Sequence, residues 1–283
     1  PRRGGGAPAW PATWSFYGAS VAALVAQMGP LAPAAALPPA QGALLAYCLY
    51  ALAYCLFVLS LRPAHYAYQF ALLAWGQATL ALVVVPGFAH IRNLEKGLVW
   101  FLLPASFVIC NDIMAMVCGS FLPGGRTPLI SVSPAKTWEG FCGGAVFTLA
   151  LAVTLSAGLA ADPALHSWLA CPPAGSGWPP FGAAPASCRE AVELFAEREF
   201  AVAGVVWTAR PILVHSLALA LFASTVAPFG GFLASGFKRA VGVEDFAVVI
   251  PGHGGITDRM DCMIPMGAFV HFYLESFVAT AER

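Results

Sequence analysis

Long apolar runs separated by short polar breaks dominate this chain. Seven runs are candidates for membrane-spanning helices: 14–28, 43–61, 70–85, 97–117, 141–160, 212–234 and 262–279. A bilayer crossing takes about 20 mostly apolar residues, and the first of these runs is short. Helices are expected rather than strands, because the runs are unbroken, rich in Ala and Leu, and free of two-residue alternation. Pro30, Pro33, Pro38 and Pro39 punctuate the first connection, and Arg62-Pro63 and Pro86-Gly87 are expected to close the second and third runs. The expected fold class is therefore all-α: a polytopic transmembrane helical protein of about seven spans, forming one catalytic domain over 1–283.

The segment 162–210 breaks the pattern. It opens as the loop-like DPALHSWLACPPAGSGWPP and continues as CREAVELFAEREFAVAGVVW. Val192, Phe195, Phe200 and Val202 line up there as one side of a short amphipathic helix, lying on the membrane or on the protein. This insert is expected to be peripheral and carries no chemical pattern.

Composition agrees with a membrane location. The chain is 59% hydrophobic and 10% charged, whereas soluble domains are about one-quarter charged. Lys+Arg and Asp+Glu balance at 14 each, which gives no electrostatic reason for a nucleic-acid partner. The eight cysteines form no CxxC pair and mostly sit in apolar runs, as small buried hydrophobes do. Only Cys171 and Cys188 lie in the polar insert, where a disulfide can be accommodated. The opening PRRGGGAPAWP reads as a linker rather than a signal peptide, and a longer natural chain is expected.

Charge is concentrated in one place. The 27 residues 235–261, SGFKRAVGVEDFAVVIPGHGGITDRMD, hold seven of the 28 charges: Lys238, Arg239, Glu244, Asp245, Asp258, Arg259 and Asp261. Ser235 and Lys238 share a helix face, and a hydroxyl beside an ammonium and the Arg239 guanidinium suits a phosphate. The same residues also read as a basic anchor at the end of a span. Gly252, His253, Gly254 and Gly255 follow, either as an anion-binding backbone turn or as an ordinary loop. Asp258 and Asp261, three apart, face one way on a helix. Mg²⁺, bound by one or two carboxylates with phosphates and water, would relieve their repulsion, as would ion pairing with Lys238, Arg239 or Arg259.

A second polar segment accompanies it. Asn111-Asp112 interrupts an apolar run, and an ionisable group at membrane depth is a functional candidate. Beyond it lies GRTPLISVSPAKTWEGF. Ser133-Pro134 is expected to start a helix, with Ser133 as N-cap, bringing Lys136 and Glu139 onto one face. Two runs separate this segment from 235–261, so both lie on one side of the membrane and the insert on the other. Basic residues divide eight to six in favour of the signature side as cytoplasmic. Omitting the first run inverts that count, so the chemistry decides the orientation.

The stretch 235–261 resembles the signature of phosphatidate cytidylyltransferases, Ser-x-x-Lys-Arg, four residues, Lys-Asp, then Pro-Gly-His-Gly-Gly-x-x-Asp-Arg-x-Asp. It matches at Ser235, Lys238, Arg239, Asp245, Pro251, Gly252, His253, Gly254, Gly255, Asp258, Arg259 and Asp261. CNDIMAMVCG, GRTPLISVSPAKTWEGF and APFGGFLASGFKR resemble the eukaryotic, endoplasmic-reticulum branch. The likeness runs from about Ala43 to the C-terminus, and the N-terminal spans of the family look incomplete. Two positions depart from the pattern. Glu244 replaces the Lys of the Lys-Asp pair, and Gly231 stands where bacterial members often carry a metal-binding Asp.

The resemblance implies Mg²⁺-dependent transfer of CMP from CTP to phosphatidate, giving CDP-diacylglycerol and pyrophosphate in phospholipid biosynthesis. It implies Asp258, Asp261 and Asp112 as metal ligands, with Ser235, Lys238, Asp258 and Asp261 catalytic. Lys136, Thr137, Glu139, Arg239, Gly252, His253, Gly254, Gly255, Arg259, Asp112 and Asp245 would bind substrate, their division between CTP and phosphatidate being open. The implied setting is the endoplasmic-reticulum bilayer with the site facing the cytosol, where CTP is found; a homo-oligomer is compatible with it. The alternative reading is a membrane transporter of anionic or phosphorylated solutes, which Asp112 and the broken polar stretches would suit.

Overall fold

The computed structural model describes residues 10–27, 39–121, 127–131, 133–171, 188, 193–202, 205–247 and 255–278. These fall into two compact units, one drawn mainly from the chain up to Ile91 and the other from Arg92 onward.

In the first unit, α1 (Trp10–Gln27) and α2 (Pro39–Leu59) precede α3 (Tyr66–Thr79). Phe16, Ala53, Phe57 and Leu80 form its small core. Gln69 is buried yet satisfied: its Nε2 donates to Ser60 O, and its Oε1 accepts from Arg62 N. That one amide fixes the turn between α2 and α3.

Pro86-Gly87 does not end the third run. A π-helical turn, Leu80–Val84, leads from α3 into α4 (Val85–Lys96), and Val85 N donates to Leu80 O. The wide turn sets Pro86 in the first turn of α4, where its missing N–H costs no helical bond.

The second unit is built on α5 (Val99–Phe121), α6 (Trp138–Ala161), α7 (Pro163–Ala170), α8 (Pro211–Thr225), α9 (Pro228–Val241), α10 (Thr257–Met260) and α11 (Met263–Tyr273). Its core joins Val99, Leu103 and Phe107 of α5 to Ala152 and Leu159 of α6, Ile212 and Leu219 of α8, and Met266 and Val270 of α11. Buried hydroxyls return to their own helices: Thr148 donates to Gly144 O, Ser156 to Ala152 O and Ser224 to Ala220 O. Such back-bonding lets polar side chains sit in an apolar bundle. α5 and α6 approach closely through glycines. A Cβ on Gly144 would lie 2.8 Å from Asn111 Oδ1, and one on Gly140 would collide with the carbonyl oxygen of Ala115.

Among the described residues five helices are long and apolar enough to cross a membrane: Gln41–Leu59, Pro63–Lys96, Val99–Phe121, Trp138–Ala161 and Pro211–Val241. The expectation of seven is corrected accordingly. α1 is helical, but its first half carries Trp, Thr, Ser and Tyr among its apolar residues. The last run forms the shorter apolar helix Met263–Val278. The membrane-protein class stands.

The insert also differs from expectation. Instead of an amphipathic helix it forms an antiparallel hairpin, β1 (Arg198–Val202) with β2 (Val205–Ala209), in which Phe200 pairs with Trp207. The β-branched and aromatic residues around Ala203-Gly204 favour that pairing over a helix; Val192 lies outside the described residues. The chain is thus predominantly rather than wholly α. The insert also enters the core, through Leu169, Ala170, Cys171, Leu194 and Phe195. Cys171 and Cys188 are joined in a disulfide.

The glycine seam gives a test. Gly144→Val should lower thermal stability in detergent by about 1–3 kcal/mol through overpacking. Gly158→Ala, with nothing within 4 Å of the added carbon, should be neutral or stabilising.

Candidate active site at the signature stretch

The site starts from α9, whose last turns carry Lys238 and Arg239. Gly242 ends the helix in the left-handed region at φ 73°, and Val243 N donates to Lys238 O. Only glycine adopts this cap without strain. The chain then turns back so that Phe246 N reaches Asp258.

Asp258 is the hub. Its Oδ1 accepts from Lys238 Nζ at 2.8 Å, and its Oδ2 accepts from Gly255 N at 2.9 Å and Phe246 N at 3.1 Å. Its side chain is 4% exposed, against 20% for Lys238. Burial pushes the Asp258 carboxyl up, but the bonds from Lys238, Gly255 and Phe246 together outweigh it and hold the group below the ordinary carboxylate range. Asp245 is a looser partner, 3.8 Å from Lys238 Nζ, and Lys238 also lies over the Phe246 ring at 5.8 Å.

Asp261 behaves differently. Burial raises its carboxyl above the ordinary range, although Oδ1 accepts from Cys262 N at 2.7 Å. α9 packs directly on it. No side chain fits at Gly230 against the Asp261 carbonyl, and a Cβ on Gly231 would lie 3.4 Å from Asp261 Oδ2. Position 231, the bacterial Asp position, therefore faces the Asp261 carboxylate. Burial, then Asp112 and Asp261, push the neighbouring Cys262 thiol up, which leaves it an unreactive packing group.

The second polar segment converges here. Asp112 of α5 lies within electrostatic range of both Lys136 and Asp261. Lys136 is presented by a tight loop: Leu129 N donates to Lys136 O, Trp138 N to Thr127 O, and Lys136 N to Ser133 O. The helix N-cap is Thr137, not Ser133. Thr137 Oγ1 accepts from Gly140 N at 3.1 Å, whereas Ser133-Pro134 forms a turn. The expected shared helix face of Lys136 and Glu139 is therefore absent. Lys136 stands on the loop, and Glu139 in the first turn of α6 accepts from Thr127 Oγ1 at 2.7 Å.

The other expected residues are placed as follows. Ser235 is half-buried on α9; Arg239 and Arg259 are exposed, as is Glu244. Gly255 is a donor to Asp258. Gly252, His253 and Gly254 lie outside the described residues. Sequence reasoning missed Phe246, Gly230, Thr127 and Cys262. Phe246 acts through its backbone N–H, which no side-chain pattern reveals.

The cytidylyltransferase family model matches residues 10–277. The chain belongs to that family. It is 44% identical over 246 residues to phosphatidate cytidylyltransferase 1 of Arabidopsis thaliana, covering 83% of this chain and 55% of the relative. It is 44% identical over 242 residues to phosphatidate cytidylyltransferase 2 of Homo sapiens (83% and 52%) and 42% identical over 245 residues to the phosphatidate cytidylyltransferase of Caenorhabditis elegans (84% and 51%). The chain thus spans about half the length of the curated relatives it matches. No solved structure matches it. For this cytidylyltransferase-family chain, the family match embraces both polar segments, 111–139 and 235–261, together with the helices that carry them.

The hub is testable. Asp258→Ala leaves Lys238 half-stranded and should cost about 2–4 kcal/mol of stability, much of it recovered in the Lys238→Met/Asp258→Leu double variant. Because the folded Asp258 value is depressed, its contribution is complete above the ordinary carboxylate pKa and is lost as pH falls through the folded value. Detergent-phase melts of wild type and variants against pH check both statements.

Proposed function

We propose that this chain carries the catalytic core of a phosphatidate cytidylyltransferase, transferring CMP from CTP to phosphatidate to give CDP-diacylglycerol and pyrophosphate. The observation that carries this reading is the meeting of two polar segments, distant in sequence, as one mixed-charge centre: Asp112 and Lys136 with Lys238, Asp258 and Asp261. The relatives' names supply the two substrates, and the centre has the charges to handle them.

A phosphate oxygen of phosphatidate attacks the α-phosphorus of CTP, and the bond from that phosphorus to the pyrophosphate leaving group breaks. The attacking oxygen is already anionic, so no strong base is required. The task is alignment and charge neutralisation. Lys238, oriented by Asp258, and the exposed Arg239 neutralise phosphate oxygens from α9. Lys136 approaches from the opposing loop. Ser235 and Arg259 donate to phosphate, and Thr137 and Glu139 shape the rim.

A magnesium ion fits this centre through Asp261 and Asp112. Asp258 already accepts three bonds, so it organises Lys238 and Gly255 and would have one lone pair left to share with the ion. Burial holds Asp261 above its ordinary range, a state that a bound cation relieves. Among the described residues no three His, Cys, Asp or Glu side chains gather into a metal cage, so water and phosphate oxygens would have to complete the ion's shell. When bound, Mg²⁺ would offset the charge of the triphosphate.

The setting we propose is the endoplasmic-reticulum membrane with the site on the cytosolic face. One span lies between the insert and each polar segment of the site, Trp138–Ala161 before it and Pro211–Val241 after it, and the Cys171–Cys188 bridge in that insert suits an oxidising lumen on the far side.

Full-length protein should transfer label from CTP to phosphatidate in bilayers and lose this activity with chelator. Absence of CDP-lipid would overturn the reading. Asp261→Ala should lower kcat at least about 100-fold, while Glu244→Lys, at an exposed position, should change it less than about threefold; single-turnover assays measure both.

A further inference from the structure

α8 and α9 form one apolar stretch, Pro211–Val241, yet they differ in kind. The chain breaks at Val226 and Ala227 between them. α8 is apolar all round, whereas α9 is two-sided. One side, with Gly230, Gly231 and Lys238, meets Asp261 and Asp258. The other side presents Phe229, Leu233 and Phe237, spaced four apart, and they are 54%, 60% and 37% exposed. The two sets lie on different faces of the helix, their centres about 120° apart.

The exposed stripe is not isolated from the charged centre. Phe237 meets Phe246, ring centroids 5.7 Å apart, and Phe246 lies under Lys238 Nζ at 5.8 Å. The same Phe246 donates its backbone N–H to Asp258. One aromatic side chain thus joins the apolar stripe to the reacting cations, around the edge of α9. Arg239 follows on the same turn, exposed and without an ion pair among the described residues.

We propose that Phe229, Leu233, Phe237 and Phe246 form a track for the acyl chains of the lipid substrate, delivering its phosphate to Lys238 and Arg239. This inference rests on the function proposed above and adds where the diacyl part of that substrate lies. A helix face serving only as bilayer contact has no use for an aromatic bridge to a catalytic cation. Moving a chain from lipid to an apolar protein surface changes little transfer free energy, because both surroundings are apolar. The track therefore adds a modest binding contribution that is the same in ground and transition states, and its loss is read in the KM for lipid.

The geometry gives a chain-length test. At about 1.5 Å rise per residue, Phe229 lies about 12 Å farther along the helix from the headgroup site than Phe237. A long acyl chain reaches Phe229 and a six-carbon chain does not. In mixed micelles, Phe229→Ser should raise the KM for dioleoyl-phosphatidate about fivefold, leaving dihexanoyl-phosphatidate and CTP within about twofold of wild type. Phe237→Ser should raise the KM for both lipids. Equal effects of Phe229→Ser on both lipids, or a common fall in kcat with a rise in the CTP KM, would overturn the track while wild-type turnover leaves the proposed reaction standing. No turnover by wild-type full-length protein would overturn that reaction and the track with it. If Phe229→Ser does not fold, phosphatidate with a diazirine near the chain terminus, irradiated with wild type, should label the peptide containing 228–241. Label confined to other helices would overturn the proposal.

Discussion

The centre depends on one buried charge pair. Asp258 is nearly closed off from solvent, and an isolated carboxylate there would be strongly disfavoured. It is stable as an anion because a lysine and two backbone N–H groups reach it from three directions. Those donors come from the end of α9, from the turn after Gly242 and from the residue that ends the glycine stretch. The bond network therefore does two things at once. It neutralises a buried charge, and it ties three segments into the frame on which Asp261 is presented. Asp261 has fewer compensating donors, and burial holds its carboxyl above the ordinary range.

The other half of the site depends on packing without side chains. Gly140 and Gly144 let α6 lie against α5 closely enough that the residues before α6 come alongside Asp112. A one-carbon spacer on this seam would separate Lys136 from the carboxylates. Thr148 and Ser156 of α6 bond within their own helix, so the seam is held by shape rather than by bonds from these hydroxyls to α5.

Much of this was legible in the chain. Charge is costly in an apolar protein, so the two polar segments stood out by residue type alone, and in the structure Asp112 lies within electrostatic range of Lys136 and Asp261. Other features were hidden for identifiable reasons. Ser-Pro signals a turn as well as a helix start, and Thr137 won the cap because its hydroxyl reaches Gly140 N. Pro86 failed to stop a helix because a π turn placed it where no N–H is needed. The hairpin was masked by apolar positions that suit either a helix face or paired strands. The last apolar run was long enough on composition, but its helix is shorter than a full crossing. Phe246 contributes through its backbone, and backbone roles leave no trace in composition.

The bridge between Cys171 and Cys188 bears on how the two halves of the centre find one another. They are encoded on either side of the insert, and α6 and α8, which pack together, are joined through it. A long flexible connection raises the entropy of the separated helices and so opposes their docking, though only logarithmically with length. The bridge takes residues 172–187 out of the covalent path between α6 and α8. The insert can then grow or vary in that bypassed segment without lengthening the effective tether between the helices. Sequence drift in the insert is thereby uncoupled from assembly of the charged centre.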